Sequence, residues 1–160
     1  VQNRIARPLG MVTLQPDYQW LNIPNRAVGY LKRNGKTVRS TDTDVSFKLG
    51  GGGFISNIDD FARFAAGLIN RKLVSESSET AMWTPQKLGD GKPTTYGFGF
   101  RCVKTADGRL RVGHNGSQEK AKCCFIIYPG EKHGVVVMSN SEWVNPDAFG
   151  KLIDKIACAD

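Results

Sequence analysis

The spacing of apolar residues changes from a helical period in the middle of the chain to a strand-like period in its second half. After Ser56, apolar residues recur at intervals of three and four, which predicts a helix ending at about Arg71. Ser56 and Asp59 fit the N-cap and the acidic third position of a capping box. A shorter helix is predicted to start after Ser75 and to end before Pro85.

Strand-like segments follow one another in the second half of the chain, at residues 96–103, 109–113, 122–128 and 135–138. An Asp-Gly pair at 107–108 and a Pro-Gly pair at 129–130 predict tight turns between them, hence an antiparallel meander. Asn145 and Pro146 then supply an N-cap and a first-turn proline for a last helix to about Ala157. The pattern predicts an α+β fold in which helices pack on an antiparallel sheet.

The N-terminal third of the chain is less regular. Residues 2–7 predict the last turns of a helix, stopped by the proline and the glycine that follow. Residues 11–49 predict irregular structure with one hairpin turn at the Asn-Gly pair 34–35. The four glycines at 50–53 permit positive φ angles or a close approach of backbone or ligand.

Composition narrows the class of protein. The 160 residues are 40% hydrophobic and 23% charged, which is typical of one globular domain. No segment approaches the roughly 20 apolar residues of a membrane-spanning helix, so we predict no membrane span. The four cysteines and two histidines lack the spacing of metal ligands, so we also predict no metal site and no cofactor.

Positive charge is concentrated at the N-terminal end of the chain. Residues 1–39 carry +6 of the net charge of +7, with Asp17 as their single acid. A nucleic-acid-binding surface would interleave such charge with stacking aromatic residues, but the aromatic residues here follow no recognisable spacing. We therefore favour a solvated loop region, or a surface facing an acidic part of a larger protein, and predict no nucleic-acid partner.

The letters S-x-x-K occur once, from Ser117 to Lys120. In serine acyl-transfer enzymes a helix puts these two residues on one face, so that the lysine takes the hydroxyl proton. Here the letters lie between two predicted strands, and nothing in the sequence indicates a helix. We interpret the match as a coincidence rather than as a nucleophile.

A second group of candidate residues is the GHNGS segment at 113–117, at the end of a predicted strand. Small residues there leave a strand edge whose N–H groups are accessible and can stabilise an oxyanion. The imidazole of His114 beside them can donate or accept a proton. The alternative is a glycine-rich hairpin corner with a surface histidine, and these residues alone leave both open. His133 is predicted to be a solvent-exposed loop residue.

Several short motifs occur in one order along nearly the whole chain. They are PLGM at 8–11 with Thr13, AVGY at 27–30, GGGFIS at 51–56 followed by DDFARF at 59–64, MWTPQ at 82–86, YGFGF at 96–100 and GHNG at 113–116. In this order they resemble the C-terminal portion of the serine beta-lactamase-like family, which includes class C beta-lactamases, D-alanyl-D-alanine carboxypeptidases and esterases of the penicillin-binding-protein fold. GHNG resembles the H-x-G variant of the family's third motif, K-[ST]-G.

The resemblance implies a partial beta-lactamase/transpeptidase-like fold and acyl transfer to a serine. The substrate would be a small-molecule or peptidoglycan-like ester, peptide amide or beta-lactam, which forms an acyl-enzyme that water resolves. His114 would take the role of the basic residue of the third motif, and Asn115 would hydrogen-bond the substrate. Gly116 would keep the strand edge clear, and the backbone N–H of Ser117 would be an oxyanion donor.

The chain departs from the family pattern in several places. Asn115 stands where Ser, Thr or Gly is usual, and Lys120 and Ala121 stand where many members carry a small turn. The nucleophilic S-x-x-K of the family lies on a helix upstream of PLGM, with a Y-x-N motif between them, and neither is found in place here.

Together with a start at Val1 rather than Met, these absences predict that residues 1–160 are the C-terminal segment of a single beta-lactamase-like domain. The upstream half of that domain would then be the partner of this chain, and the chain alone would be inactive. A non-catalytic binding or structural module with the same fold is the alternative.

Two further expectations follow from the resemblance. It suggests an exported protein, periplasmic or extracellular, whereas four cysteines without obvious pairing argue against an oxidising compartment, so the compartment stays open. A sheet without its upstream strands would expose an edge, which predicts self-association into a homo-oligomer.

Overall fold

A computed structural model describes residues 1–118 and 121–158. Within these ranges the helices are Arg7–Leu9 (α1), Leu49–Gly52 (α2), Ile58–Ile69 (α3), Glu76–Trp83 (α4) and Pro146–Ala157 (α5), with a π-helical turn Gln2–Ala6 before α1 and a 3-10 turn Ser46–Lys48 before α2. The strands are Gln15–Pro16 (β1), Tyr30–Arg33 (β2), Lys36–Arg39 (β3), Phe54–Ile55 (β4), Arg101–Lys104 (β5), Leu110–Gln118 (β6), Ala121–Tyr128 (β7) and His133–Ser139 (β8). The α+β prediction is confirmed.

The main sheet is an antiparallel meander with strand order β5-β6-β7-β8. One face of the sheet packs on α3, where Val112 and Ile127 are fully buried together with Leu68. The other face packs on α5, where Cys124 and Tyr128 are buried. Strand residues alternate between the two faces of a sheet, and helices cover both faces here. The sequence of β7 is therefore almost continuously apolar. No helix within the described ranges is long and apolar enough to cross a membrane.

Several predicted boundaries are wrong for local reasons. The N-cap of α3 is Asn57, whose side chain accepts a hydrogen bond from the Asp60 amide at 2.9 Å, and Ser56 is not the cap. The helix ends at Ile69 rather than Arg71, because Arg71 has a positive φ of 53°. The first helical segment passes through its proline, which lies at the start of α1, and ends only at Gly10 in the left-handed region.

The predicted strand at 96–103 is also shorter than expected. Residues 96–100 form a tight loop in which the Gly97 amide donates to the Phe100 carbonyl at 2.8 Å, and only Arg101–Lys104 forms β5. The next strand, in contrast, extends beyond the predicted 109–113 and continues to Gln118. His133 is the first residue of β8, and its ring stacks on Tyr128, so the prediction of an exposed loop residue is wrong.

The Asn34-Gly35 turn between β2 and β3 is confirmed, and both of its central residues have positive φ, 48° and 76°. We expect Gly35→Ala to lower the free energy of unfolding by about 1 kcal/mol, because a Cβ is disfavoured in this conformation. Urea unfolding followed by circular dichroism measures the effect. Gly130→Ala is the matched control, because Gly130 is not among the positive-φ residues and has open space around it. An equal loss in both variants would contradict the explanation.

Candidate functional site

The second half of β6 has one unpaired backbone edge within the described part of the chain. On one side, β5 pairs with β6 only as far as the Arg101–Gly113 partners. On the other side, β7 pairs with β6 through to Gln118. Residues 114–118 therefore lie in the sheet with a backbone edge that is open toward the side of β5.

The register of the sheet decides which backbone groups face this open edge. The Thr105 amide donates to the Arg109 carbonyl at 2.9 Å, which directs the Arg109 carbonyl toward β5. Every second residue of an antiparallel strand directs its N–H and C=O to the same side, and the β6 register has no bulge up to residue 118. The N–H and C=O groups of Asn115 and Ser117 therefore face the open edge. The Nδ1 atom of His114 lies 2.7 Å from the Asn115 carbonyl oxygen, which places this oxygen outside the β6–β7 ladder.

The side chain of His114 lies on the α3 face of the sheet, opposite Phe125 of β7. Its ring meets the ring of Tyr96 edge-on, with centroids 5.8 Å apart. Phe125 is itself buried and packs on Phe61 of α3, with centroids 5.5 Å apart. The aromatic rings of Tyr96 and Phe125 thus lie around the exposed imidazole of His114, next to the open edge. Tyr96 is a contact that sequence reasoning missed, although the YGFGF motif contains it.

Two other residues of β6 fix the surroundings of the edge on the same face. A Cβ added at Gly116 would lie 2.5 Å from the Sγ atom of Cys123, so a larger residue there would force the Cys123 side chain to move. The Gln118 side-chain amide donates to the Gly52 carbonyl at 2.6 Å. Gly52 has a φ of 145°, and an added Cβ would collide with Gln118. The glycine run at 50–53 therefore lies against the end of β6.

Whereas the side chain of His114 lies on the α3 face of the sheet, that of Asn115 lies on the α5 face. There the Asp147 carboxylate has a lowered pKa, mainly because the Lys151 ammonium donates to it at 2.6 Å and also because Asn115 donates to it. Asn115, Ser117 and Asp147 line a cleft of about 330 Å³ behind the edge. Asn115 therefore presents only its backbone groups at the open edge. The predicted hydrogen bond between Asn115 and the substrate stays a prediction.

The S-x-x-K letters have their first residue in an extended strand. Ser117 lies in β6, paired with Lys122. Lys120 lies outside the described residues. Neighbouring residues of an extended strand point to opposite faces, whereas the nucleophilic motif needs its serine on one face of a helix. The extended backbone at Ser117 does not provide such a face.

A buried carboxylate that the sequence did not reveal holds the PLGM-x-T segment on α3. Asp60 is fully buried, and its carboxylate accepts hydrogen bonds from the Thr13 amide at 2.6 Å, the Thr13 hydroxyl at 2.7 Å and Arg63 at 2.8 Å. Burial alone would raise the pKa of Asp60, but these donors outweigh it and leave the pKa below its ordinary value. Asp59 precedes it in the same first turn, but its side chain is exposed. The sequence alone does not show which of these two adjacent aspartates is buried.

Comparison with known protein families identifies the family of this chain. The sequence profile described as Beta-lactamase matches residues 1–154. The chain belongs to the beta-lactamase family. Thr13, Asp60 and the edge at 114–118 all lie within the matched range, so the anchor and the candidate site are part of the family domain.

Curated beta-lactamase-family relatives are considerably longer than this chain. It is 34% identical over 100 residues to PbpX of Bacillus subtilis (strain 168), named as a penicillin-binding protein, in an alignment that covers 62% of this chain and 24% of that protein. It is 28% identical over 155 residues to the D-aminopeptidase of Brucella canis, covering 94% of this chain and 29% of that protein. The chain therefore spans about a quarter of the length of these relatives.

Solved structures show the same beta-lactamase-like fold. A D-stereospecific amidohydrolase from Streptomyces sp. has a TM-score of 0.77 at 22% identity, over 99% of this chain and 47% of that one. An octameric penicillin-binding protein homologue from Pyrococcus abyssi has a TM-score of 0.79 at 24% identity, over 99% of this chain and 37% of that one. These similarities confirm the predicted fold.

Proposed function

We propose that this chain forms the substrate-binding edge of a serine hydrolase that cleaves amide bonds through an acyl-enzyme. The observation that carries the proposal is the open edge at 114–118, where the backbone groups of Asn115 and Ser117 face outward beside the imidazole of His114. Relatives named D-aminopeptidase and D-stereospecific amidohydrolase support an amide as the substrate class.

An extended substrate would bind along this edge as an added strand. The edge offers alternating N–H and C=O groups, which are the groups that a peptide-like substrate pairs with in strand addition. The outward N–H of Ser117 would donate to the carbonyl oxygen of the scissile amide, where negative charge develops. The imidazole of His114 would face the same substrate from the α3 side and attract its carboxylate or hold a proton next to it.

The covalent step requires a serine from a segment outside residues 1–160, in the S-x-x-K motif that the family resemblance implies. Its oxygen would bond to the substrate carbonyl carbon, the C–N bond would break, and the amine would leave with a proton. Water would then hydrolyse the resulting ester and regenerate the serine. In this scheme residues 1–160 bind and orient the substrate and stabilise the oxyanion, and they supply no nucleophile.

We expect the chain alone to show no turnover of a chromogenic cephalosporin and no mass adduct with a fluorescent penicillin, because the covalent route needs the serine. The positive control is a polypeptide that joins the same chain to the segment carrying S-x-x-K and Y-x-N, assayed also on D-amino acid amides. A stoichiometric adduct on Ser117 of the chain alone would contradict the proposal. A joined polypeptide that binds these ligands without turnover or adduct would favour the non-catalytic module.

A further inference from the structure

A second group of chemically reactive side chains lies at the far end of the sheet from the open edge. The ligand atoms of His133, Asp154 and Cys158 all lie within 4.8 Å of one another. His133 begins β8. Asp154 lies near the end of α5, and Cys158, four residues later, is the C-cap of this helix, so both side chains lie on the same side of the helix end. In the sequence the three residues are spread over 26 positions. The spacing of the cysteines and histidines therefore did not indicate a metal site.

We propose that His133, Asp154 and Cys158 bind a Zn²⁺ ion. An imidazole nitrogen, a carboxylate oxygen and a thiolate are all ligands that Zn²⁺ accepts, whereas Mg²⁺ and Ca²⁺ prefer oxygen ligands alone. Three protein ligands leave the fourth tetrahedral position for water. The proposal is independent of the proposed hydrolase function, because none of the three residues belongs to the edge at 114–118.

The two distances from Oδ1 of Asp154 to the other ligand atoms are close to those around one tetrahedral ion. Metal–ligand distances of about 2.1 Å for nitrogen and oxygen and about 2.3 Å for sulfur put tetrahedral neighbours about 3.4 Å apart for N···O and about 3.6 Å apart for O···S. The Nε2 atom of His133 lies 3.3 Å from Oδ1 of Asp154, and the Sγ atom of Cys158 lies 3.8 Å from the same oxygen. Nε2 is also buried and forms no hydrogen bond of good geometry in the described structure. It is therefore available to a metal ion.

The surroundings of Asp154 orient it for this role. The carboxylate is buried, and its other oxygen, Oδ2, accepts a hydrogen bond from the Tyr128 hydroxyl at 2.9 Å and one from Arg109 at 3.4 Å. Both donors thus occupy Oδ2, and Oδ1 faces His133 and Cys158. Outer hydrogen bonds of this kind fix the orientation of metal ligands in known sites.

The charges of the group balance with a divalent cation in place. The Asp154 carboxylate and a Cys158 thiolate together offset Zn²⁺. The guanidinium of Arg109 forms its shorter ion pair with Asp107, at 2.7 Å, and a longer one with Asp154, at 3.4 Å. Arg109 also approaches the Cys158 sulfur at 3.8 Å. Cys158 is the C-cap of α5, where the partial negative charge of the helix end favours a cation.

Titration of the metal-free protein with Co²⁺ tests the proposal, because a thiolate bound to tetrahedral cobalt gives a charge-transfer band and strong visible bands. We expect one cobalt per chain, displacement by one equivalent of Zn²⁺, and a higher melting temperature with Zn²⁺ than without it. His133→Gln and Cys158→Ser should each weaken binding by at least about 100-fold, and Cys158→Ser should abolish the thiolate band. Both side chains are partly or largely exposed, so neither change leaves a large internal cavity.

The chain provides a sharp control, since His114 is its second histidine and lies in the open edge. His114→Gln should bind cobalt with unchanged affinity and an unchanged spectrum. The proposal is overturned if the unmodified protein shows no thiolate band, or if the band persists in Cys158→Ser. It is equally overturned if His114→Gln weakens binding as much as His133→Gln.

Discussion

In the proposed mechanism, replacing Ser117 with proline should lower the kcat of the polypeptide that joins residues 1–160 to the segment carrying S-x-x-K by about 10²- to 10³-fold, the usual effect of losing one oxyanion donor. Proline lacks an N–H, and the N–H of Ser117 faces the open edge rather than β7. The substitution therefore removes the proposed donor without removing a hydrogen bond of the β6–β7 ladder. Steady-state kinetics on a D-amino acid amide measures the effect.

The comparison with Ser117→Ala separates the backbone from the side chain of the same residue. Alanine keeps the N–H, so we expect this variant to retain most of the activity. Melting temperatures of the two variants show whether proline has disturbed the sheet. Equal activities of the proline and alanine variants would exclude the Ser117 amide as an oxyanion donor, and an equal loss in both would assign the effect to the hydroxyl.

The largest expected effect on stability is at Asp60. Asp60→Ala should lower the free energy of unfolding by about 3 kcal/mol, because it leaves the amide and the hydroxyl of Thr13 without their shared acceptor. Asp59→Ala is the matched control in the same helical turn, and because Asp59 is exposed we expect a loss below about 1 kcal/mol. Urea unfolding at neutral pH measures both. A similar loss in the two variants would contradict the anchoring role of Asp60.

The pKa of Asp60 gives this prediction a pH dependence. Since its folded-state pKa lies below the ordinary value, the unfolded state takes up a proton first as the pH falls. The stabilisation from Asp60 is therefore fully present above about pH 4, near the unfolded-state pKa, and is lost progressively below it. The gap in stability between the unmodified protein and Asp60→Asn should narrow over the same range.

How far the sequence predicted this fold depends on the range of the interactions involved. The meander was predictable because tight turns and apolar runs are local signals, and Ser75 and Asn145 cap their helices as expected. The cap of α3 was misplaced by one residue because Ser56 contacts Thr13 instead, at 3.2 Å, and that partner is 43 positions away. The extra length of β6 depends on its pairing with β7, which a single segment does not show.

The candidate site was predictable in part. The motif located the strand, and small residues indicated an accessible edge. The sequence predicted a strand that ends at residue 113, so it did not show that His114 and Asn115 are neighbours within β6 and therefore direct their side chains to opposite faces of the sheet. The predicted homo-oligomer also stays a prediction, although no described strand covers the outer edge of β8 at 133–139. The octameric assembly is a property of the Pyrococcus abyssi homologue.

The alternation along β6 has a consequence for how such a site tolerates change over evolution. At positions 115 and 117 the groups that face the edge belong to the main chain, so any residue except proline presents the same donor and acceptor there. Asparagine in place of the serine or threonine of the related motif therefore leaves that backbone pattern intact. Replacements at these two positions remain free to adjust the face beneath α5, while in the proposed site the requirement for particular side chains falls on His114 and Gly116.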